Sequence, residues 1–217
     1  MRDDLTDINI VLDRSGSMQS VRTDTIGGFN TFLKSQKEAA GEATLTLAQF
    51  DDRYETVHDG KNIQDIPELT METFIPRGWT ALLDAIGRTI NSTGARLAAM
   101  PEEERPGRVI FVILTDGYEN YSKEFKKEQI NEMIEHQTDV YQWDFVFLGA
   151  NQDAIQTGVG MGILAGNSMT YAATASGVCD VYNSIGASMS SYRVGNAQLK
   201  KSFFSNEDRK KQEDAGA

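Results

Sequence analysis

Ile8-Asn9-Ile10-Val11-Leu12-Asp13-Arg14-Ser15-Gly16-Ser17-Met18 sets the frame for the whole chain. The β-branched run from Ile8 to Leu12 reads as a strand and stops abruptly at Asp13. Three oxygen-bearing side chains, Asp13, Ser15 and Ser17, then alternate in one tight turn, and Gly16 frees the backbone to curl. From Met18 to about Ala40, Val21, Ile26, Phe29, Phe32 and Leu33 recur at helical spacing, and Gly41 ends the run. The unit is therefore strand, polar turn, helix.

The same unit repeats along the chain. Leu45, Leu47 and Phe50 read as a strand, and Tyr54 to His58 as its antiparallel neighbour. Residues 59–79 are poorly periodic and contain Pro67, Pro76 and Gly78. Ala81 to Met100 is helical, with Leu82, Leu83, Ile86, Ile90 and Leu97 facing inward. After the polar break from Pro101 to Pro106 comes Val109-Ile-Phe-Val-Ile-Leu114, a continuous apolar run that implies a strand covered on both faces. Ser122 to His136 reads as a helix, Asp144 to Leu148 as a buried strand, and Asp153 to Val159 as a short helix. Ser168 to Ala172 is a last strand and Ser176 to Tyr192 a closing helix with Cys179 on its apolar side. This alternation predicts an α/β three-layer sandwich, with a doubly wound, mostly parallel sheet between helix layers.

Composition narrows the function. The 217 residues suit one domain, and 32 acidic against 21 basic residues leave a net charge of −11. That balance argues against holding nucleic acid through its phosphates. The longest apolar stretch is too short to cross a bilayer, and no signal peptide precedes the first strand. The single cysteine points to a reducing compartment, so a cytoplasmic location is expected.

Three polar groups follow the rule that ligands of open α/β sheets bind beyond the carboxyl ends of the strands. They are the Asp13–Ser17 turn, Gly78-Trp79-Thr80 at the start of a helix, and Thr115-Asp116-Gly117 after the most buried strand. Asp13, Ser15, Ser17, Thr80 and Asp116 are all hard oxygen donors, with no His or Cys among them. Such a set suits Mg2+ or Mn2+ and disfavours zinc or copper. Taken singly, Thr80 also reads as a helix N-cap and Asp116-Gly117 as an ordinary turn.

Together these residues resemble the metal-ion-dependent adhesion site of von Willebrand factor type A domains: Asp-x-Ser-x-Ser, a Thr from a second loop and an Asp from a third. The likeness spans roughly residues 5–192. It implies one antiparallel edge strand in the sheet, and because the composition turns polar from Gly195 onward, a domain over residues 1–194 is expected with 195–217 as a polar, flexible tail. It also implies direct cation contacts from the two serines and the threonine, with the aspartates often acting through water. A carboxylate from a protein partner would complete the coordination of a non-catalytic adaptor. Arg14 and Arg77 flank this site and are expected to offset the acidic background, with Trp79, Tyr118 and Tyr121 as rim contacts. The rival reading is a metal-dependent phosphohydrolase. It lacks the second acid two residues after the first aspartate, a position held here by Ser15.

Overall fold

The computed structural model describes residues 1–150, 153–195 and 202–216. The strands are β1 (Arg2–Asp13), β2 (Glu42–Phe50), β3 (Tyr54–Asn62), β4 (Pro106–Thr115), β5 (Asp144–Ala150) and β6 (Ser168–Tyr171). They form one sheet in the order β3-β2-β1-β4-β5-β6, parallel throughout except for β3, which runs antiparallel to β2 at the edge. The helices are α1 (Arg22–Glu38), α2 (Leu82–Ala98), α3 (Lys127–Tyr141), α4 (Ala154–Val159), α5 (Ala175–Val194) and α6 (Asn206–Ala215).

The period-two geometry of a strand divides the core between two faces. Ile8, Ile10 and Leu12 of β1 and Ile110, Val112 and Leu114 of β4 pack with α1 (Phe29, Phe32, Leu33) and α5 (Val178, Val181, Ile185, Met189). Val11, Phe111 and Ile113 face the other way, against Leu82, Ile86 and Ile90 of α2 and Ile130 and Ile134 of α3. Each large apolar side chain so buried contributes roughly 1.5–3 kcal/mol. An exposed ion pair such as Arg88–Glu124 is screened by solvent and adds little beside this, so the two apolar layers hold the fold. Within the first layer, α1 and α5 approach closely at Gly28 of α1, where a Cβ would lie 2.2 Å from the Tyr182 ring of α5.

Several boundaries differ from the sequence expectation. The first helix is preceded by a 3-10 turn over Gly16–Val21, which carries Ser17 and Met18. The third helix starts at Lys127 instead of Ser122; the residues before it instead tie back to α2, where the Asp84 carboxylate accepts the amides of Lys123, Glu124 and Phe125 at 2.9 Å each. Cys179, expected in the core, is exposed.

Residues 202–216, which the sequence expectation put in the tail from 195 onward, carry a further helix. There Phe204 is buried, and Ser205 and Asp208 form a capping box that opens α6. Arg209 donates to Ser168 O at 2.8 Å. Gln212 accepts from Ala172 N at 3.0 Å and donates to Gly177 O at 3.1 Å. Among the described residues no helix is long and apolar enough to cross a membrane.

Candidate metal centre

Strand order reverses at β1, whose neighbours β2 and β4 lead the chain away to opposite sides, and the three polar groups meet at that switch point. Asp13 ends β1, and β4 runs alongside it. The Asp13 carboxylate is fully buried and accepts the Ser15 amide at 2.6 Å and the Thr115 hydroxyl at 2.5 Å. The first bond closes an Asx-type turn that sends the chain across the strand ends. Ser15 Oγ and Ser17 Oγ lie 3.0 Å apart, and Ser17 donates to Asp116 Oδ1 at 2.5 Å. Ser17 thus links the first loop to the third.

The second loop is laced to the first by backbone bonds. Arg77 N donates to Arg14 O at 2.8 Å, and Gly16 N donates to Gly78 O at 3.2 Å. Gly78 has φ +66, and a Cβ there would stand 1.9 Å from Asp52 Oδ1, so this crossing requires glycine. Thr80 is buried and does not cap α2. The amides of Leu83 and Asp84 in the first turn of α2 are instead met by Glu119 Oε2 at 2.9 Å and Ser122 Oγ at 3.1 Å. A Cβ on Gly117 would lie 3.4 Å from Thr80 Oγ1 and 3.5 Å from Ser17 Oγ, so both hydroxyls gather over the Asp116-Gly117 turn. The structure therefore brings Asp13, Ser15, Ser17, Thr80 and Asp116 to one edge.

Burial pushes the Asp13 carboxyl up to about 7, against the hydrogen bonds from Thr115 and Ser15, and the Asp116 charge adds to the rise. Asp116 is raised as well, chiefly by burial and against the bond from Ser17. Among the described residues no basic side chain pairs with Asp13, and no group of three or more His, Cys, Asp or Glu side chains is placed to hold a metal. Two buried carboxylates beside three hydroxyls make a hard, anionic donor set, which fits a divalent cation such as Mg2+ or Mn2+.

The expected rim is placed unevenly. Trp79 and Tyr118 are 61% and 63% exposed, whereas Tyr121 is half-buried under Lys123, whose Nζ lies 4.2 Å from the ring centroid. Arg14 corrects the sequence reading, because its side chain turns inward. Its guanidinium binds Asp51 at 3.0 Å and Glu55 at 2.7 Å, only 6% exposed, and does not face an incoming anion. Arg77 is exposed but also held by Asp51, at 2.9 Å.

Sequence reasoning missed Asp51, Asp84, Glu119 and Asn120, which tie the loops together. Asp51 carried a usable signal: like Asp13, it is an acid immediately after a buried strand end, Phe50. Glu119 and Asn120 carried none for this role, since the partners through which they tie the loops, Leu83 and Thr80, lie 36 and 40 residues away.

No protein-family profile and no curated protein sequence matches the chain. Solved structures do. Proximal thread matrix protein 1 from the mussel byssus superimposes with a TM-score of 0.59 at 13% identity, over 82% of this chain and 46% of that one. A form of it described as having a zinc-occupied MIDAS motif gives 0.58 at 14% identity, with the same coverage. The pilus adhesin SpaC of Lactobacillus rhamnosus GG gives 0.61 at 14% identity, over 86% of this chain and 30% of SpaC. A von Willebrand factor type A protein of Catenulispora acidiphila gives 0.54 at 12% identity, over 84% and 42%. The chain spans less than half the length of these proteins. Identities this low mark a shared fold, and that fold is the von Willebrand factor type A α/β sandwich.

Proposed function

We propose that this chain is a non-catalytic adaptor that binds a protein partner through a divalent cation, Mg2+ or Mn2+, held by Asp13, Ser15, Ser17, Thr80 and Asp116. The observation that carries the reading is the chain of hydroxyls: Ser15 to Ser17 at 3.0 Å, Ser17 to Asp116 at 2.5 Å, and Thr80 beside them over Gly117. A serine whose proton lies on a carboxylate keeps its oxygen lone pairs for a cation. The ion would supply positive charge at the rim of an acidic protein. Neutral hydroxyls leave that charge largely uncancelled, so an Asp or Glu side chain of a partner is drawn to it.

A metal-bearing fold neighbour and an adhesin of the same fold support this reading. The non-catalytic assignment rests on Asp13. Both of its oxygens are engaged, by Ser15 N and the Thr115 hydroxyl, in full burial, so Asp13 would act on the ion from behind the hydroxyls, through water, and is not presented to a substrate as a nucleophile or a general acid. The proposed rim comprises Arg77, Trp79, Tyr118 and Tyr121. The setting proposed is cytoplasmic, where an exposed lone thiol such as Cys179 stays reduced.

Titration of the purified chain with Mn2+ tests the proposal. A bound ion raises the melting temperature by mass action, and Ser17→Ala and Asp116→Ala remove the rise. A melting temperature indifferent to Mn2+ and Mg2+ at millimolar concentration would overturn it.

A further inference from the structure

The loops bearing Thr80 and Asp116 also expose large apolar side chains. Trp79 and Tyr118 are joined by Met71 and Ile75, 48% and 47% exposed. The backbone beneath them is pinned. Phe74 is fully buried, its carbonyl accepts Arg22 Nε at 2.8 Å, and Arg22 donates to Met71 O as well. Arg22 opens α1 directly after the 3-10 turn that carries Ser17, and Ile75 lies two residues before Arg77, whose amide donates to Arg14 O at 2.8 Å, so the segment bearing Met71 and Ile75 is tied to the first loop of the site. Trp79 adjoins Thr80. Tyr118 follows Gly117, over which the Ser17 and Thr80 hydroxyls gather.

Scattered exposed apolar residues need no explanation, but a set of them around one polar centre marks an interaction surface. Charge does little to hold an acidic partner here. Arg14 is buried in its pair with Asp51 and Glu55, Arg77 is bound to Asp51, and the chain carries −11. Beyond one carboxylate–cation contact, affinity has to come from apolar burial, and each further acid in the partner adds repulsion.

We propose that the rim of Met71, Ile75, Trp79 and Tyr118 selects an extended protein segment in which a single Asp or Glu is flanked on both sides by bulky apolar residues, and rejects acid-rich segments. This rests on the cation reading above and specifies the partner that reading leaves open.

Tryptophan fluorescence provides the test, because Trp79 is exposed while Trp143 is only 6% exposed. The full chain in Mg2+ is titrated with three synthetic peptides. One has a central Glu between Leu and Phe, one has the same Glu between serines, and one has Gln in place of Glu between Leu and Phe. The expected result is that the first binds about tenfold or more tighter than the second, that the Gln peptide loses binding, and that chelator abolishes it. Ile75→Ser and Tyr118→Ser erode the preference for apolar flanks. Equal, metal-dependent affinity for the first two peptides overturns the selection and leaves the cation reading intact. Binding that ignores chelator and the Glu→Gln change overturns the cation reading itself. No binding by any peptide at millimolar concentration overturns the selection, while the Mn2+ melting shift reports separately on the cation.

Discussion

Asn120 and Thr80 exchange hydrogen bonds across two loops: Thr80 N donates to Asn120 Oδ1 at 2.9 Å, and Asn120 N donates to Thr80 O at 3.0 Å. This reciprocal pair, with no help from the Thr80 side chain, holds the threonine where its hydroxyl, like that of Ser17, lies over Gly117. Asn120→Ala removes the side-chain half and leaves the buried Thr80 amide unmet. With one hydrogen bond worth about 1 kcal/mol, Mn2+ affinity by calorimetry is expected to drop about fivefold. Asn120→Asp keeps the acceptor and most of the affinity. If Asn120→Ala binds Mn2+ as tightly as the parent, the lock has no bearing on the site.

Asp13 sets a pH dependence of definite sign. Its carboxyl rises from 3.8 to about 7 on folding, mainly through burial, so the folded chain holds this proton more tightly than the unfolded one. The resulting stability is complete below about pH 4 and is lost as pH climbs through about 7. A divalent cation needs the ionised form, so its stabilising effect grows over the same range. Metal-free protein is expected to lose urea resistance between about pH 4 and pH 7, with Mn2+ restoring it at the upper end. Asp13→Asn flattens the metal-free profile and abolishes the response to Mn2+. A flat profile in the parent protein contradicts the account.

Asp51 is fully buried and accepts Arg14 Nε at 3.0 Å, Arg77 Nε at 2.9 Å and the Arg53 amide at 2.7 Å. Asp51→Ala leaves the Arg14 guanidinium buried without its inner partner, and removing one member of such a pair costs about 3–5 kcal/mol. Urea unfolding should show a loss of this size. A loss under about 1 kcal/mol, as for a surface pair, would mean that Glu55 alone suffices for Arg14.

Gln212 is the only residue buried within α6, and its amide bridges Ala172 N and Gly177 O. Gln212→Ala deletes both bonds, with an expected cost of about 1–3 kcal/mol. Hydrogen exchange at the Ala172 amide should quicken while exchange in β1 stays slow. Unchanged protection at Ala172 would show that α6 is held by Phe204 and Arg209 without this bridge.

Much of the fold was readable because apolar periodicity is local. The runs Ile8–Leu12 and Val109–Leu114, and the helix beginning near Ala81, each display their buried faces within a few residues. The donor oxygens were readable for a related reason, since each sits beside a strand end or helix start that announces itself. The C-terminal helix was hidden, because Asn206–Ala215 is polar throughout and buries one glutamine. The non-helical path of residues 123–125 was hidden because the carboxylate that meets their amides is about 40 residues upstream, on α2.

By itself the sequence determined the alternation of strands and helices and the hard-oxygen chemistry at three strand and helix ends. Whether long side chains beside those ends face the solvent was decided only by the tertiary structure. Asp51, 37 residues away, draws Arg14 inward, while Trp79 stays outside. The physical reason is range. Burial pattern follows from neighbours along the chain, whereas the direction of a charged or aromatic side chain follows from whichever partner the finished fold carries to it.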